Sequence, residues 1–332
     1  MDSKLGMSII IPTHSNFSGL KTLLHGMARQ KELDGSEIEI IVVSNLLDSR
    51  VEKFCKDLET PFELKYLVSG VVGVNAARNT GMRMARGRWL YFLDDDCEFL
   101  SEDHLFHLLS EAEALLPPIV GIGGGYRIVD SSSFADITYL LTCQHWLESS
   151  RGDEGDHHLV GGNACISRKV FDEGYTFNEA IKFGGAETEF NLRLSQAGYR
   201  FKYDEKFHVK HNTKMSLSQL GVKAFKQGMG WGIREYYGVK EAGAKDLSLS
   251  QYLEAQPYSK AAKFVLRFQV FVYNLCYLSG FKYFSKEKTT NVNSWKAFGF
   301  LIQQVEKHIL DRIKRSKVGQ FYRAGLEARN QL

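Results

Sequence analysis

Three consecutive aspartates, Asp94-Asp95-Asp96, follow directly on the apolar run Trp89-Leu90-Tyr91-Phe92-Leu93. Adjacent carboxylates repel one another, and a solvent loop has no use for three of them, so the triplet suggests a cation. Mg2+ and Mn2+ prefer oxygen donors and typically take one or two carboxylates together with substrate phosphates. In the DxD arrangement Asp94 can meet a ribose hydroxyl while Asp96 holds a metal. Much later in the chain Glu187 follows the glycine pair Gly184-Gly185 at the start of a helical stretch. Taken alone it is a carboxylate favoured by the positive end of a helix; in a reaction it could serve as a general base. Glu189 and Arg193, four residues apart, read as a helix ion pair. His157 and His158 stand beside Asp153, Glu154 and Asp156, but the polar stretch from Arg151 reads as a loop rather than a metal site. Gly123-Gly124-Gly125 lacks the strand and helix that flank a dinucleotide-binding glycine motif, and reads as close packing.

The elements that must position these groups alternate between strand and helix. Met7 to Ile11 is a short apolar run halted by Pro12, as expected of a buried parallel strand. Leu20, Leu23, Leu24 and Met27 recur at helical spacing, and Ile38 to Val43 forms a second strand. A helix near Val51 to Leu58, a strand over Phe62 to Val68 and a helix over Asn75 to Arg86 follow, the last closed by Gly87 as a left-handed cap. Trp89 to Leu93 is the fourth strand. This order predicts a parallel sheet with right-handed crossovers, whose ligands lie beyond the carboxyl ends of the strands. Thr13-His14-Ser15-Asn16, Ser44-Asn45 and the aspartates all fall there. Further on, Ile119 to Val129 reads as a glycine-rich strand, Gly161 to Ile166 as a turn into a strand, and Phe183 to Arg193 as a glycine turn opening a helix.

In these pieces the chain resembles the family-2 glycosyltransferases of the GT-A fold. The likeness runs through Ile10-Ile11-Pro12-Thr13, Ala77-Arg78-Asn79-Thr80-Gly81, Ala85-Arg86-Gly87 and Tyr91 to Asp96. It continues in Val160-Gly161-Gly162-Asn163, Gly184 to Phe190 with Arg193, Ala197-Gly198-Tyr199 and Val209-Lys210-His211. The resemblance implies an α/β, Rossmann-like GT-A fold with a mostly parallel central sheet over residues 1–215. A helical C-terminal region over 216–332, membrane-peripheral or oligomerising, would follow it. It implies transfer of a sugar, with inversion, from a nucleotide-diphosphate sugar to an acceptor hydroxyl, with Mn2+ or Mg2+ as cofactor, in surface glycan or polysaccharide synthesis. Pro12, Thr13 and Arg78 would lie along the nucleotide, Asp94 and Asp95 on the nucleotide-sugar, Asp96 and His211 at the metal, and Glu187 would be the base. Two departures stand out. Ser44-Asn45 replaces the acidic residue often found after the second strand; Asn45 can still pair with uracil, which keeps a UDP-sugar the favoured donor. Ala186-Glu187 replaces a Glu-Asp pair, which leaves acceptor recognition open. A non-catalytic subunit of the same fold and a nucleotidyltransferase are the rival readings; the loop after the first strand lacks the glycine-rich, basic triphosphate cradle the latter needs.

Bulk composition agrees with a folded chain of 332 residues, 44% hydrophobic and 24% charged. Five scattered cysteines without a CxxC pair exclude a disulfide framework or structural zinc site and suit a reducing cytosol. The net charge of +3 conceals an imbalance: from Lys282 onward eleven Lys/Arg face four Asp/Glu. Without a nucleic-acid motif, that balance points to an acidic membrane surface at the inner face of the cell membrane, or to a solvated tail. Ser216 to Tyr237 reads as a helix. Phe264 to Phe281 is apolar and aromatic, yet Arg267 inside it opposes a spanning helix. The alternatives are a helix in the membrane interface, one packed on a second copy, or one buried in its own domain. The acceptor expected is a glycan or lipid-linked molecule.

Overall fold

The computed structural model describes residues 5–127, 133–149, 158–182, 185–211, 215–236, 252–253, 256 and 258–287. The chain forms two compact units, residues 1–127 with 150–212 and residues 128–149 with 213–332. The segment 128–149 thus groups with the C-terminal part of the chain.

The first unit opens with β1 (Met7–Thr13), α1 (Phe17–Ala28), β2 (Ile38–Ser44), α2 (Ser49–Asp57), β3 (Glu63–Val68), α3 (Val74–Met84) and β4 (Trp89–Leu93). β5 (Cys97–Phe99), α4 (His104–Glu113), β6 (Ile119–Gly123) and β7 (Tyr126–Arg127) follow. After α5 (Phe134–Ser149), which lies in the second unit, come β8 (Asn163–Ser167), α6 (Arg168–Asp172), α7 (Ala186–Gln196), β9 (Arg200–Tyr203) and β10 (Val209–His211). Seven strands make the main sheet in the order β3-β2-β1-β4-β8-β6-β9, and β5, β10 and β7 make a small second sheet. All pairings in the main sheet are parallel except those of β8, which runs antiparallel to β4 and β6. The single glycine-rich strand expected over Ile119 to Val129 is therefore two short strands, β6 and β7, in different sheets; Val129 lies outside the described residues.

The period of two along each strand sorts the core onto two faces. Ile9, Ile11, Ile40, Val42, Tyr91 and Leu93 meet Leu20, Leu23, Leu24 and Met27 of α1. Ile10, Ile41, Val43, Leu90 and Phe92 meet Ala77 and Met82 of α3 on the other face. β1 continues through Pro12 to Thr13, since Pro12 comes at its last turn of pairing, opposite Val43. Gly87 is not a helix cap. α3 ends at Ala85 in an extended conformation, and a Cβ on Gly87 would stand 2.5 Å from the backbone nitrogen of Ser8. That glycine lets the chain cross β1 closely. Gly123 and Gly124 likewise face the backbones of Asn163 and Phe207 with no room for a side chain, as the packing reading expects.

In the second unit α8 (Leu217–Tyr236) and α9 (Lys260–Glu287) join α5. Phe134, Ile137 and Leu141 of α5 pack with Tyr252, Leu253, Val265 and Leu266. Gly228 and Gly280 lie against the opposing helix backbones at Tyr277 and Phe225, so α8 and α9 meet where only glycine fits. All five cysteines are free thiols.

Candidate active site

The aspartates occupy the turn between β4 and β5, closed by the Cys97 amide donating to the Asp94 carbonyl at 3.2 Å. Three carboxylates in one turn repel unless each has its own direction, and each does. Asp94 Oδ1 lies 3.4 Å from Arg78 Nη2, and its Oδ2 accepts from the Tyr126 hydroxyl at 3.2 Å. Asp95 turns the other way: its oxygens accept from Thr13 Oγ1 at 2.6 Å and Asn16 Nδ2 at 2.9 Å. Asp96 Oδ2 lies 3.4 Å from His211 Nε2.

Strand register explains the last pair. β10 runs antiparallel to β5 with His211 opposite Cys97, which brings the imidazole beside the preceding aspartate. Tyr126 on β7 reaches the same place because β7 lies parallel to β10. Its ring meets that of His211 edge-on with centroids 4.8 Å apart.

Asp95 serves this turn as a brace. The sequence reading set it on the nucleotide-sugar, but both of its oxygens are engaged by the end of β1 and the cap of α1, where Asn16 Oδ1 also accepts from the Gly19 amide. Burial and the charge of Asp96 push the Asp95 carboxyl up to about 7, against the pull of Thr13 and Asn16. Thr13 is thereby turned onto the aspartate turn, and Pro12 is buried in β1. Asn45 is also engaged within the protein. Its Nδ2 donates to the Gly73 carbonyl at 3.1 Å and its Oδ1 accepts from the Gly73 amide at 3.3 Å. The pair fixes the loop that leads into α3, and pairing with a base would have to use the remaining N–H and lone pair of the amide.

Arg78 comes from the buried face of α3. Its neighbours Asn75 and Asn79 hold the segment 177–179 through the carbonyls of Asn178 and Phe177, and the guanidinium lies over the Phe177 ring, 5.5 Å from its centroid. Only 3% of Arg78 is exposed. Among the described residues Nε and Nη1 have no hydrogen-bond partner, and both are buried. A buried guanidinium with two idle nitrogens is costly unless a ligand completes it, and a planar fork of N–H groups suits phosphate oxygens.

Glu187 stands in the first turn of α7, after Gly185 in left-handed conformation at φ 66°. Asn191, one turn on, donates to the Leu159 carbonyl at 2.7 Å and ties α7 to the segment before β8. Gly161 and Gly162 in that segment lie at the centre of the site. A Cβ at Gly161 would come within 2.8 Å of both Arg78 Nη2 and Glu187 Cβ, and one at Gly162 would collide with the Asp94 carboxylate and the Tyr126 hydroxyl. The glycine pair thus lets Arg78, Asp94, Tyr126 and Glu187 close around one turn. Glu189 and Arg193 form the expected ion pair at 2.7 Å. His157 and the acidic residues beside it lie outside the described residues, as does Gly184.

A divalent cation fits the donors present. Asp96 and His211 offer one carboxylate and one imidazole side by side, a mixed pair that Mn2+ accepts. Among the described residues no three His, Cys, Asp or Glu side chains gather as ligands, so further ligands would come from substrate oxygens, as is common for such ions. Tyr126, Asn16 and the two glycines complete the site; Asn16 falls in a loop that the strand order singles out, whereas Tyr126 lacked any local signal of a role in the sequence.

Residues 8–175, just over half of the chain, match the model of glycosyl transferase family 2. The chain is 24% identical over 225 residues to the uncharacterized glycosyltransferase EpsJ of Bacillus subtilis (strain 168), covering 65% of this chain and 64% of that protein. It is 22% identical over 233 residues to the chondroitin synthase of Escherichia coli, covering 59% of this chain and 33% of the synthase. The chain therefore spans less than two thirds of either relative. A solved structure, the mannosyltransferase PcManGT from Pyrobaculum calidifontis in complex with GDP-Man and Mn2+, superposes with a TM-score of 0.55 at 12% identity. The alignment covers 98% of this chain and 86% of that one. At that identity the likeness is one of fold. The fold and the matched sequence agree: the chain belongs to glycosyl transferase family 2 and has the GT-A fold.

Proposed function

We propose that the protein moves a sugar from a nucleoside diphosphate sugar to an acceptor hydroxyl with inversion at the anomeric carbon. The observation that carries this reading is the buried Arg78, with two idle nitrogens, beside Asp94 and across Gly161 from Glu187. The acceptor oxygen attacks the anomeric carbon from the face opposite the diphosphate and loses its proton to a Glu187 carboxylate oxygen. The bond from that carbon to the diphosphate oxygen breaks, and the electron pair leaves with the diphosphate. Arg78 donates to the diphosphate oxygens as their charge grows, which stabilises the transition state more than the ground state. Asp94, held by Tyr126 and Arg78, accepts from a ribose hydroxyl. Asp96 and His211 would hold Mn2+ or Mg2+, which supplies Lewis-acid stabilisation of the leaving diphosphate. The mannosyltransferase of similar fold, described with GDP-Man and Mn2+, supports the donor class and the cation. A UDP-sugar remains the favoured donor. The relative named as a chondroitin synthase supports a growing glycan as acceptor, in polysaccharide synthesis.

Calorimetric titration of UDP- and GDP-sugars into the protein tests this reading, with Mn2+ and then with chelator, on wild type and Asp96→Asn. One donor is expected to bind with Mn2+ and to lose at least about tenfold in affinity, the loss of one charge-assisted contact, with chelator and in the variant. Absence of binding by every donor would sink the reading. The anomeric configuration of the product, read by NMR, decides inversion.

A further inference from the structure

α9 has two apolar faces and only one of them is covered. Ala262, Val265, Leu266, Val270, Tyr273 and Cys276 are buried within the second unit. On the opposite side Phe264, Phe271, Leu275 and Leu278 are 38%, 64%, 56% and 48% exposed. At 100° per residue these four fall within one narrow stripe. Lys260 and Lys282 close the stripe at its ends, and Arg267 flanks it. From Lys260 to Lys286 the chain has five basic residues and no Asp or Glu, and from Lys282 onward basic residues outnumber acidic ones by eleven to four.

We propose that this outward face of α9 docks on a membrane bearing anionic lipid, with the helix lying in the interface. The stripe would enter the boundary between headgroups and acyl chains, and the cations would face the headgroups, as in interfacial amphipathic helices. The helix is long and apolar enough to cross a bilayer between Lys260 and Tyr283, but spanning does not suit it. Its inner face packs with α5 and α8 within the unit, and Arg267 would lie inside the hydrocarbon layer. A second copy seated on the same face would oppose its own Lys260, Arg267 and Lys282 to like charges. Scattered exposed apolar side chains are ordinary; a single-sign, cation-bounded stripe of four large ones along one helix is not.

Sedimentation of the full chain with vesicles tests the proposal. The vesicles are phosphatidylcholine alone, or phosphatidylcholine with roughly a third phosphatidylglycerol, each at low and at high salt. Wild type is expected to pellet with the anionic vesicles at low salt, at least about tenfold more than with the neutral ones, and to be released by salt. The double variant Phe271→Ser, Leu275→Ser is expected to lose at least about tenfold in binding with an unchanged thermal melt. Should that variant melt early, the pair Lys260→Gln, Arg267→Gln serves, because it removes charge and leaves the apolar stripe intact; it is expected to lose the preference for anionic vesicles. Wild type remaining in the supernatant with anionic vesicles would overturn the proposal. So would equal pelleting of folded variants and wild type. A wild-type dimer made monomeric by the serine pair, seen by equilibrium sedimentation, would assign the face to a second copy instead.

Discussion

Two buried charges at opposite ends of the same sheet are treated in opposite ways. Glu39, near the start of β2, is fully buried. Its oxygens accept from Ser8 Oγ at 2.6 Å, Lys65 Nζ at 2.8 Å and the Arg86 amide at 2.7 Å, with Arg86 Nε at 3.1 Å. Burial alone would raise the Glu39 carboxyl, but Lys65, Ser8 and the Arg86 amide outweigh it and hold it below the usual glutamate range. Arg78, toward the carboxyl ends of the strands, is nearly as buried but has, among the described residues, a long contact with Asp94 and two nitrogens with no partner. A charge whose partners are all supplied by the chain holds the fold together. A charge left incomplete by the chain is stabilised only when something else arrives, and that is how a binding group differs from a structural one.

The sharpest test of this contrast is at the reacting end. Glu187→Gln keeps the shape of the side chain and removes only its basicity. Sugar transfer is expected to fall by about 10²- to 10⁴-fold in kcat, the range for a positioned general base, while donor affinity and the melting temperature stay at wild-type values. Equal activity of the variant would remove Glu187 from the chemistry. At the other end the outcome reverses. Glu39→Ala leaves Lys65 and the Arg86 amide facing an emptied site, and unfolding free energy should drop by about 3–5 kcal/mol. Denaturant melts of the variant measure this, and the fraction that remains folded is expected to bind donor as wild type does.

What the sequence made legible follows the same division between local and distant causes. β1 to β4 are apolar runs long enough for their period to be read, and Glu189 with Arg193 is a contact within one helix. β5, β7 and β10 have two or three residues each, too few for any period, so the register that sets His211 beside Asp96 had no local trace. The histidine was reached through the resemblance alone. Gly87 looked like a cap because a helix precedes it; its cause is the β1 backbone, about eighty residues earlier in the chain. The internal partners of Asp95 and Asn45, namely Thr13, Asn16 and Gly73, could be seen only in three dimensions. His104 gave no signal at all. It is 3% exposed, packed among Tyr91, Phe99 and Phe207, and burial pushes it down to about 4 from 6.5. The folded protein keeps it neutral while the unfolded chain takes up a proton below about 6.5. Stability should therefore be complete above that pH and fall as the pH drops toward 4, by up to about 3 kcal/mol. His104→Phe is expected to flatten this part of the stability–pH curve; an unchanged slope would assign it to other groups.

The incomplete charge predicts an effect of opposite sign on binding and on stability. Arg78→Met removes a guanidinium that the free protein pairs only in part. The thermal melt should hold or rise, because a desolvated charge with idle donors has gone. Donor affinity should fall by about ten- to a hundredfold, as for lost hydrogen bonds to a charged group of about 1.5–3 kcal/mol. Titration calorimetry beside a melt reads both. A variant that melts early and binds normally would place Arg78 with Glu39, as a structural charge.

Tyr126 gives the smallest effect and the finest separation. Its hydroxyl touches one oxygen of Asp94, and its ring lies against His211, so Phe at this position keeps the ring and loses one neutral donor to a carboxylate. Among the described residues Arg78, at 3.4 Å, then remains the side-chain partner of Asp94. The loss should amount to about 0.5–1.5 kcal/mol, up to about tenfold in donor affinity. It should be smaller still in an Arg78→Met background if the two residues act through the same carboxylate. A double-mutant cycle on donor binding measures that coupling. Additive losses would mean that Tyr126 meets the donor or its cation directly. A coupled loss would mean that it works by aiming Asp94, and that the site depends on how its charges are held as well as on which charges it has.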